Sequence, residues 1–184
     1  AMTMIREHAA EWHVDPDAIA VIGFSAGGHL AANLATSTSD DVLVAHGYDP
    51  DAVRPNGLML AYPVITSGPL AHRGSFDSLL GERRNDSQAL ESVSIERHID
   101  AKTPPVFAWH TVPDETVPYE NTLMLIDACK KAGVSIEAHL FPQGGHGLSL
   151  GTAETAWQGV NGIEPSIQIW PQLAVSWMRR TFVR

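Results

Sequence analysis

Four short apolar runs, separated by more polar sequence, constrain the fold more than any other feature of the chain. They lie at 19–24, 58–62, 105–110 and 136–141, and the first is continuous, as is typical of a strand buried on both faces. Segments with helical periodicity lie around them, at 3–13, 26–38, 119–131 and 167–180. Strands that alternate with helices predict an α/β fold, with a parallel sheet of about four strands flanked by helices.

The second and third apolar runs are separated by a long segment, 63–103, that is rich in Gly, Pro, Ser and His. Its only helical patches are short, near 76–80 and 87–92, so we expect a loop or a small cap. No internal repeat or low-complexity tract divides the sequence. Residues 1–184 are therefore predicted to form a single domain that includes this excursion.

Composition disfavours several classes of function. The formal net charge is -9 and no long run of Lys or Arg occurs, which argues against nucleic acid and anionic membranes as partners. There is no apolar stretch of membrane-spanning length and no leader pattern in the sequence, which favours a cytoplasmic location, with a leader ahead of residue 1 as the alternative. No metal-ligand spacing is evident, so no metal or cofactor is expected. The single cysteine, Cys129, is predicted to be a buried thiol.

The sharpest local signal is Gly-Phe-Ser-Ala-Gly-Gly at 23–28, between the first strand and a helix. A tight strand-to-helix turn of this kind presents a nucleophilic serine, here Ser25. The turn crowds the backbone, which predicts small residues at positions 23 and 27, and both are glycine. A phosphate-binding loop is disfavoured because its glycine and lysine pattern is absent. A plain helix cap is the structural alternative for Ser25.

A nucleophilic serine needs a histidine base and an orienting acid, which in this fold class follow in the order Ser, Asp/Glu, His. After the third strand, Asp114 is the candidate acid, with Glu115 as its competitor and helix capping as its structural alternative. After the fourth strand, His146 lies in Gly-Gly-His-Gly at 144–147 and is the candidate base. Three other histidines lie on or beside core elements and are predicted to be packed there: His29, His110 and His139.

Together these residues predict acyl transfer. His146 takes the proton of Ser25 as the hydroxyl attacks a carbonyl, and Asp114 stabilises the imidazolium. The backbone N–H of Ala26 is predicted to bind the oxyanion. Tyr62 and His72 are candidates for the substrate pocket, and the expected ligand is a small-molecule ester.

The sequence resembles bacterial α/β-hydrolases of the acetylxylan-esterase-like type, often labelled BD-FAE-like or xylanase-related esterases. The resemblance extends over nearly the whole chain, at 9–12, 19–32, 54–65, 72–75, 79–81, 104–107, 114–118 and 141–147. It implies that Ser25, Asp114 and His146 form the triad of an esterase acting on small acyl esters, with acetyl groups on sugars as the expected substrate. Pro113 departs from the family, whose members often carry Asp at this position.

Enzymes of this type carry further strands before the elbow, and a His-Gly-Gly-Gly-like loop that supplies a second oxyanion donor. No such loop occurs in this sequence. The resemblance therefore implies the C-terminal part of a longer fold, with strand 19–24 at an exposed apolar edge that a second copy of the chain could cover. Since the loss of one oxyanion donor costs about 10² to 10³ in turnover, we expect weak activity unless a partner restores it.

Two alternatives stay open on the sequence alone. A serine peptidase of the prolyl-oligopeptidase type has the same elbow and the same order of loops. A binding module that has lost its activity is the non-enzymatic alternative, which the presence of all three triad residues disfavours.

Overall fold

The computed structural model describes residues 1–157 and 161–182. Its elements, in chain order, are α1 (Met2–Glu7), β1 (Ala20–Phe24), α2 (Ala26–Thr36), α3 (Asp40–Ala45), α4 (Pro50–Val53), β2 (Gly57–Ala61), α5 (Arg73–Leu80), α6 (Ser87–Ser92), β3 (Val106–Thr111), α7 (Glu120–Ala132), β4 (Ile136–Phe141) and α8 (Trp170–Phe182). Short 3-10 turns lie at Gly81–Arg83, Ile95–Arg97 and Pro165–Ile167.

The four strands form one parallel sheet in the order β1-β2-β3-β4, which confirms the predicted α/β architecture. In this register Gly23 lies opposite Leu60, and Leu60 lies opposite Ala108. All carboxyl ends of the strands therefore point to the same edge of the sheet. The loops that follow β1, β3 and β4 meet at that edge, where open α/β sheets bind their ligands.

The hydrophobic core lies on both faces of the sheet. On one face, Leu58 and Leu60 of β2 contact small residues of α2 and the buried side of α7, including Cys129. On the other face, Phe107 and Trp109 of β3 pack among the tryptophans of α8. Burial raises the pKa of the Cys129 thiol to about 11, which confirms the predicted buried cysteine.

One prediction about the first strand is wrong. β1 is not covered on both faces, because the side chain of Ile22 is 46% exposed. Among the described strands β1 pairs with β2 alone, so it lies at an edge of the sheet. The continuous apolar run therefore marks an edge strand here.

The helices differ from the sequence prediction mainly at the ends of the sheet. α1 ends at Glu7, whereas a helix was predicted over 3–13, and residues 8–13 form turns. The segment between α2 and β2, in which no helix was predicted, contains α3 and α4, whose first turns are capped by the side chains of Ser39 and Asp49. Both helical patches predicted within 63–103 are present as α5 and α6. No helix in the described ranges has the length and apolar character needed to cross a membrane.

Candidate active site

Ser25 lies at the junction of β1 and α2 in a strained conformation, with φ 53° and ψ -121°. A serine rarely adopts a positive φ, so the surrounding chain has to hold it there. The N–H of Ser25 donates to the carbonyl oxygen of Ala61 at 3.0 Å, and its carbonyl accepts from the N–H of Val64 at 3.1 Å. The end of β2 and the residues after it thus fix the nucleophile elbow.

The glycines of the elbow differ in what they are needed for. A Cβ at Gly23 would lie 2.2 Å from the carbonyl oxygen of Gly27, and a Cβ at Gly28 would lie 2.9 Å from the Cβ of Pro63. A Cβ at Gly27 would meet nothing within 4 Å. The predicted need for a small residue is therefore confirmed at position 23 but wrong at position 27. The crowding falls on position 28, where α2 passes Pro63.

The structure brings Ser25, His146 and Asp114 together in one line of hydrogen bonds. The Oγ of Ser25 lies 2.7 Å from Nε2 of His146, and Nδ1 of His146 lies 2.7 Å from Oδ2 of Asp114. The carboxylate only accepts hydrogen bonds, so Nδ1 carries a proton and the unprotonated Nε2 accepts from the serine hydroxyl. These three side chains come from the loops after β1, β3 and β4.

Asp114 is held by both of its oxygens. Its Oδ1 accepts from the backbone N–H groups of Thr116 and Val117, each at 2.9 Å, and its Oδ2 accepts from two imidazoles. Burial alone would raise the pKa of Asp114, but the hydrogen bonds from His110, His146 and Val117 outweigh it and lower the pKa below its ordinary value. The acid is therefore an anion near neutral pH. The competing Glu115 is exposed.

The second imidazole belongs to His110, at the end of β3. It is fully buried, as predicted for a packed core histidine. Its Nε2 lies 2.9 Å from the carbonyl oxygen of Val117 and 3.2 Å from Oδ2 of Asp114. Because neither oxygen can donate, Nε2 carries a proton, and Nδ1 accepts from the hydroxyl of Thr122 at 2.8 Å. Sequence reasoning missed this contact with the acid, although His110 precedes Asp114 by only four residues.

His146 is supported on its other side by Tyr62. The two rings lie edge to face, with centroids 5.0 Å apart, and the phenol oxygen accepts from the N–H of Ser149 at 3.1 Å. Burial raises the pKa of Tyr62, which keeps the phenol neutral. The carbonyl of Gly145 also accepts from the hydroxyl of Thr111 at 3.1 Å. Contact between Tyr62 and substrate stays a prediction.

Two cavities lie near the 63–103 excursion. One, of about 290 Å³, is lined by Ala26 and by residues of α2, α5 and the end of α6. His72 does not line it, but Nδ1 of His72 lies 2.8 Å from the hydroxyl of Ser75, which does. A larger cavity of about 650 Å³, between the excursion and α7, contains none of the three aligned residues. None of the three aligned residues lines the smaller cavity either, but Ala26, which follows Ser25 in the chain, does. The roles of His72 and Ala26 stay predictions.

The first 128 residues of the chain match the model of the BD-FAE family, which is well over half of its length. The chain belongs to the BD-FAE family. Ser25 and Asp114 lie within the matched residues of this BD-FAE chain, and His146 lies beyond them.

Two curated relatives share its sequence. The BD-FAE chain is 34% identical over 161 residues to endo-1,4-beta-xylanase B of Butyrivibrio fibrisolvens, covering 86% of this chain and 25% of that protein. It is 30% identical over 153 residues to an acetylxylan esterase of Xylanibacter ruminicola, covering 81% of this chain and 30% of that protein. The chain thus spans a quarter to about a third of these relatives.

Solved structures place the sheet in the α/β-hydrolase fold. An acetyl ester-xyloside bifunctional hydrolase from Caldicellulosiruptor lactoaceticus matches with a TM-score of 0.78 and 36% identity, covering 97% of this chain and 62% of that chain. An α/β hydrolase from a deep-sea metagenome library matches with a TM-score of 0.71 and 31% identity, covering 98% of this chain and 61% of that chain. The four strands of the BD-FAE chain therefore correspond to a part of that fold.

Proposed function

We propose that this BD-FAE chain carries the catalytic residues of a serine carboxylesterase that hydrolyses small acyl esters, including acetyl groups on sugars. The observation that carries the proposal is the line of hydrogen bonds from Ser25 through His146 to Asp114, with 2.7 Å between successive partners. Support for the substrate class comes from relatives described as an acetylxylan esterase and an acetyl ester-xyloside hydrolase.

The geometry supports a two-step reaction. The Oγ of Ser25 forms a bond to the ester carbonyl carbon while its proton passes to Nε2 of His146. The carbon–oxygen bond to the alcohol then breaks, and His146 returns the proton to the departing alcohol oxygen. Water repeats the two transfers and releases the carboxylic acid. Asp114 stays ionised throughout and stabilises the imidazolium.

The backbone around Ser25 adds electrostatic stabilisation. Helix α2 begins at Ala26, and the first N–H groups of a helix have no partner within the helix. In our proposal the N–H of Ala26 donates to the oxyanion, assisted by the positive end of the helix dipole. A second donor, supplied by a partner, is expected to raise turnover by about 10² to 10³ over a site that has this donor alone.

Ser25→Ala is the direct test. We expect it to abolish hydrolysis of p-nitrophenyl acetate and labelling by a fluorophosphonate probe, because both need the Oγ nucleophile. Ser176→Ala on α8 is the matched control and should keep both activities, since the Ser176 hydroxyl accepts a hydrogen bond from the exposed Arg180 and lies outside the line of aligned residues. Equal hydrolysis by Ser25→Ala and the original chain contradicts the proposal.

A substrate panel separates the esterase from the peptidase alternative. Acetylated xylose and p-nitrophenyl acetate should be cleaved, whereas aminoacyl amides of proline should not. Cleavage of the amides at a rate comparable to that of the esters favours the peptidase. A chain that binds these ligands without labelling at Ser25 is a binding module.

A further inference from the structure

The cavity of about 290 Å³ beside the elbow is built from residues that surround the nucleophile. One wall is Ala26, which follows Ser25 in the chain, and another is Val64, whose N–H donates to the carbonyl of Ser25. The cavity therefore begins at residues that contact the backbone of Ser25, although Ser25 itself does not line it. Its far side is formed by α5 and by Val93 at the end of α6, both within the 63–103 excursion.

Apolar side chains dominate this lining. Val64 and Phe76 form its buried floor, while Leu30 and Leu79 are exposed at its mouth. None of the described lining residues is Asp, Glu, Lys or Arg. Such a surface favours an uncharged, apolar ligand, because a charged group would lose its hydration there without gaining a partner.

Of the three polar residues in the lining, His29, Asn33 and Ser75, the side chains of His29 and Ser75 are already hydrogen-bonded within the protein. The imidazole of His29 lies edge to face with Phe76, with centroids 5.5 Å apart, and its Nε2 donates to the carbonyl of Val93 at 2.7 Å. Burial lowers the pKa of His29, so the ring is neutral near pH 7. The hydroxyl of Ser75 is bonded to His72.

The geometry of the reaction determines which half of the ester can occupy this cavity. The departing alcohol must lie within reach of Nε2 of His146, because it takes its proton from there. No residue of the His146 loop, 143–150, lines this cavity. The cavity lies instead on the side of Ala26, the proposed oxyanion donor. The acyl half of the substrate is the half that extends this way.

We infer that this cavity is the acyl-binding site, and that it takes uncharged acyl chains longer than acetyl, of about four to six carbons. An engineered apolar cavity of about 150 Å³ is large enough to bind benzene, so the methyl group of an acetyl ester would leave most of this space unfilled. The inference rests on the proposed esterase function and names the acyl group that the site recognises.

The test compares p-nitrophenyl acetate, butyrate and hexanoate on three forms of the chain. For the original sequence, kcat/KM should rise up to three- to fourfold for each added methylene, since each buries apolar surface. Leu79→Glu places a charge at the mouth of the cavity and should remove this gain, so that the ratio of kcat/KM for hexanoate to kcat/KM for acetate falls toward one. Leu123→Glu on α7 is the matched control, since Leu123 is also an exposed helical leucine, 40% exposed against 55% for Leu79. It should keep the gain, because Leu123 does not line the cavity.

A second substrate pair tests the charge of the acyl group. The p-nitrophenyl monoester of succinic acid has the length of the butyrate ester but ends in a carboxylate, and we expect it to react at least tenfold more slowly. The inference is overturned when kcat/KM stays level or falls from acetate to butyrate, or when Leu79→Glu and Leu123→Glu have equal effects. Hydrolysis of acetate in either case still supports the esterase. Loss of all hydrolysis together with absent labelling of Ser25 overturns the proposed function and this inference with it.

Discussion

At the scale of single residues, the carboxylate of Asp114 depends on a group that the reaction does not use directly. His110 donates to the same oxygen that accepts from His146, and the hydroxyl of Thr122 holds the ring of His110 through its other nitrogen. His110 is thus a positioning residue in our proposal. Since the orientation of Asp114 sets that of His146, a displacement of the His110 ring should also displace His146 from the hydroxyl of Ser25.

The exchange of Thr122 tests this chain of contacts. Thr122→Val keeps the shape of the side chain but removes the hydroxyl, so Nδ1 of His110 loses its hydrogen-bond partner and the ring is held only through Nε2. We expect kcat to fall roughly ten- to a hundredfold with little change in KM, since small displacements of catalytic groups have effects of this size. Thr122→Ser keeps the donor and should restore most of the rate.

A spectroscopic measurement distinguishes positioning from general loss of structure. The proton between His146 and Asp114 should give a far-downfield NMR signal that moves in Thr122→Val and stays in place in Thr122→Ser. The positioning role is contradicted when both variants have the same kcat and the same signal.

At the scale of elements, the elbow shows which glycine the turn needs. Gly23→Ala would bring a Cβ to 2.2 Å from backbone, which cannot move without opening the β1–α2 turn. Gly27→Ala meets open space within α2, where alanine is the better helix former by about 1 kcal/mol. We therefore expect Gly23→Ala to lower the free energy of unfolding by at least about 1 kcal/mol.

Urea denaturation of the two variants measures this contrast. Gly27→Ala should leave the stability unchanged or raise it, and it serves as the control for helix propensity. Comparable destabilisation of both variants would show that position 27 is crowded and that the first interpretation of the sequence was right.

The elements that sequence predicted well are those whose signal is local. The four strands, the elbow and the excursion helices follow from apolar runs, glycine spacing and capping residues, and the order Ser25, Asp114, His146 was sufficient to choose the three aligned side chains. The contact of His110 with Asp114 and the open space at Gly27 depend on which elements become neighbours. Such tertiary relations leave no periodic pattern in one sequence, so they could not be predicted from it.

At the scale of the whole molecule, the exposed edge of the sheet at β1 and the negative charge of the chain have opposite effects on self-association. Ile19 accepts a backbone hydrogen bond from Asn56 and Ser25 donates one to Ala61, so odd-numbered residues face β2. Because backbone groups alternate along a parallel strand, those of Ile22 face the open edge. An exposed apolar edge favours pairing with a second copy, while the net charge of -9 opposes the approach of two copies.

We therefore predict that the chain self-associates through β1, and more strongly as salt screens the repulsion. Ile22→Lys should reduce the dimeric fraction in light scattering at 0.2 M salt, because a lysine at a strand edge disfavours pairing. Val175→Lys on α8 changes the net charge equally at a side chain of similar exposure, 49% against 46% for Ile22, and should leave the dimer intact. A chain that stays monomeric at all salt concentrations contradicts the prediction, because there is then no association to explain. A dimer that both lysines weaken equally excludes β1 as the contact, because the added charge alone then accounts for the loss.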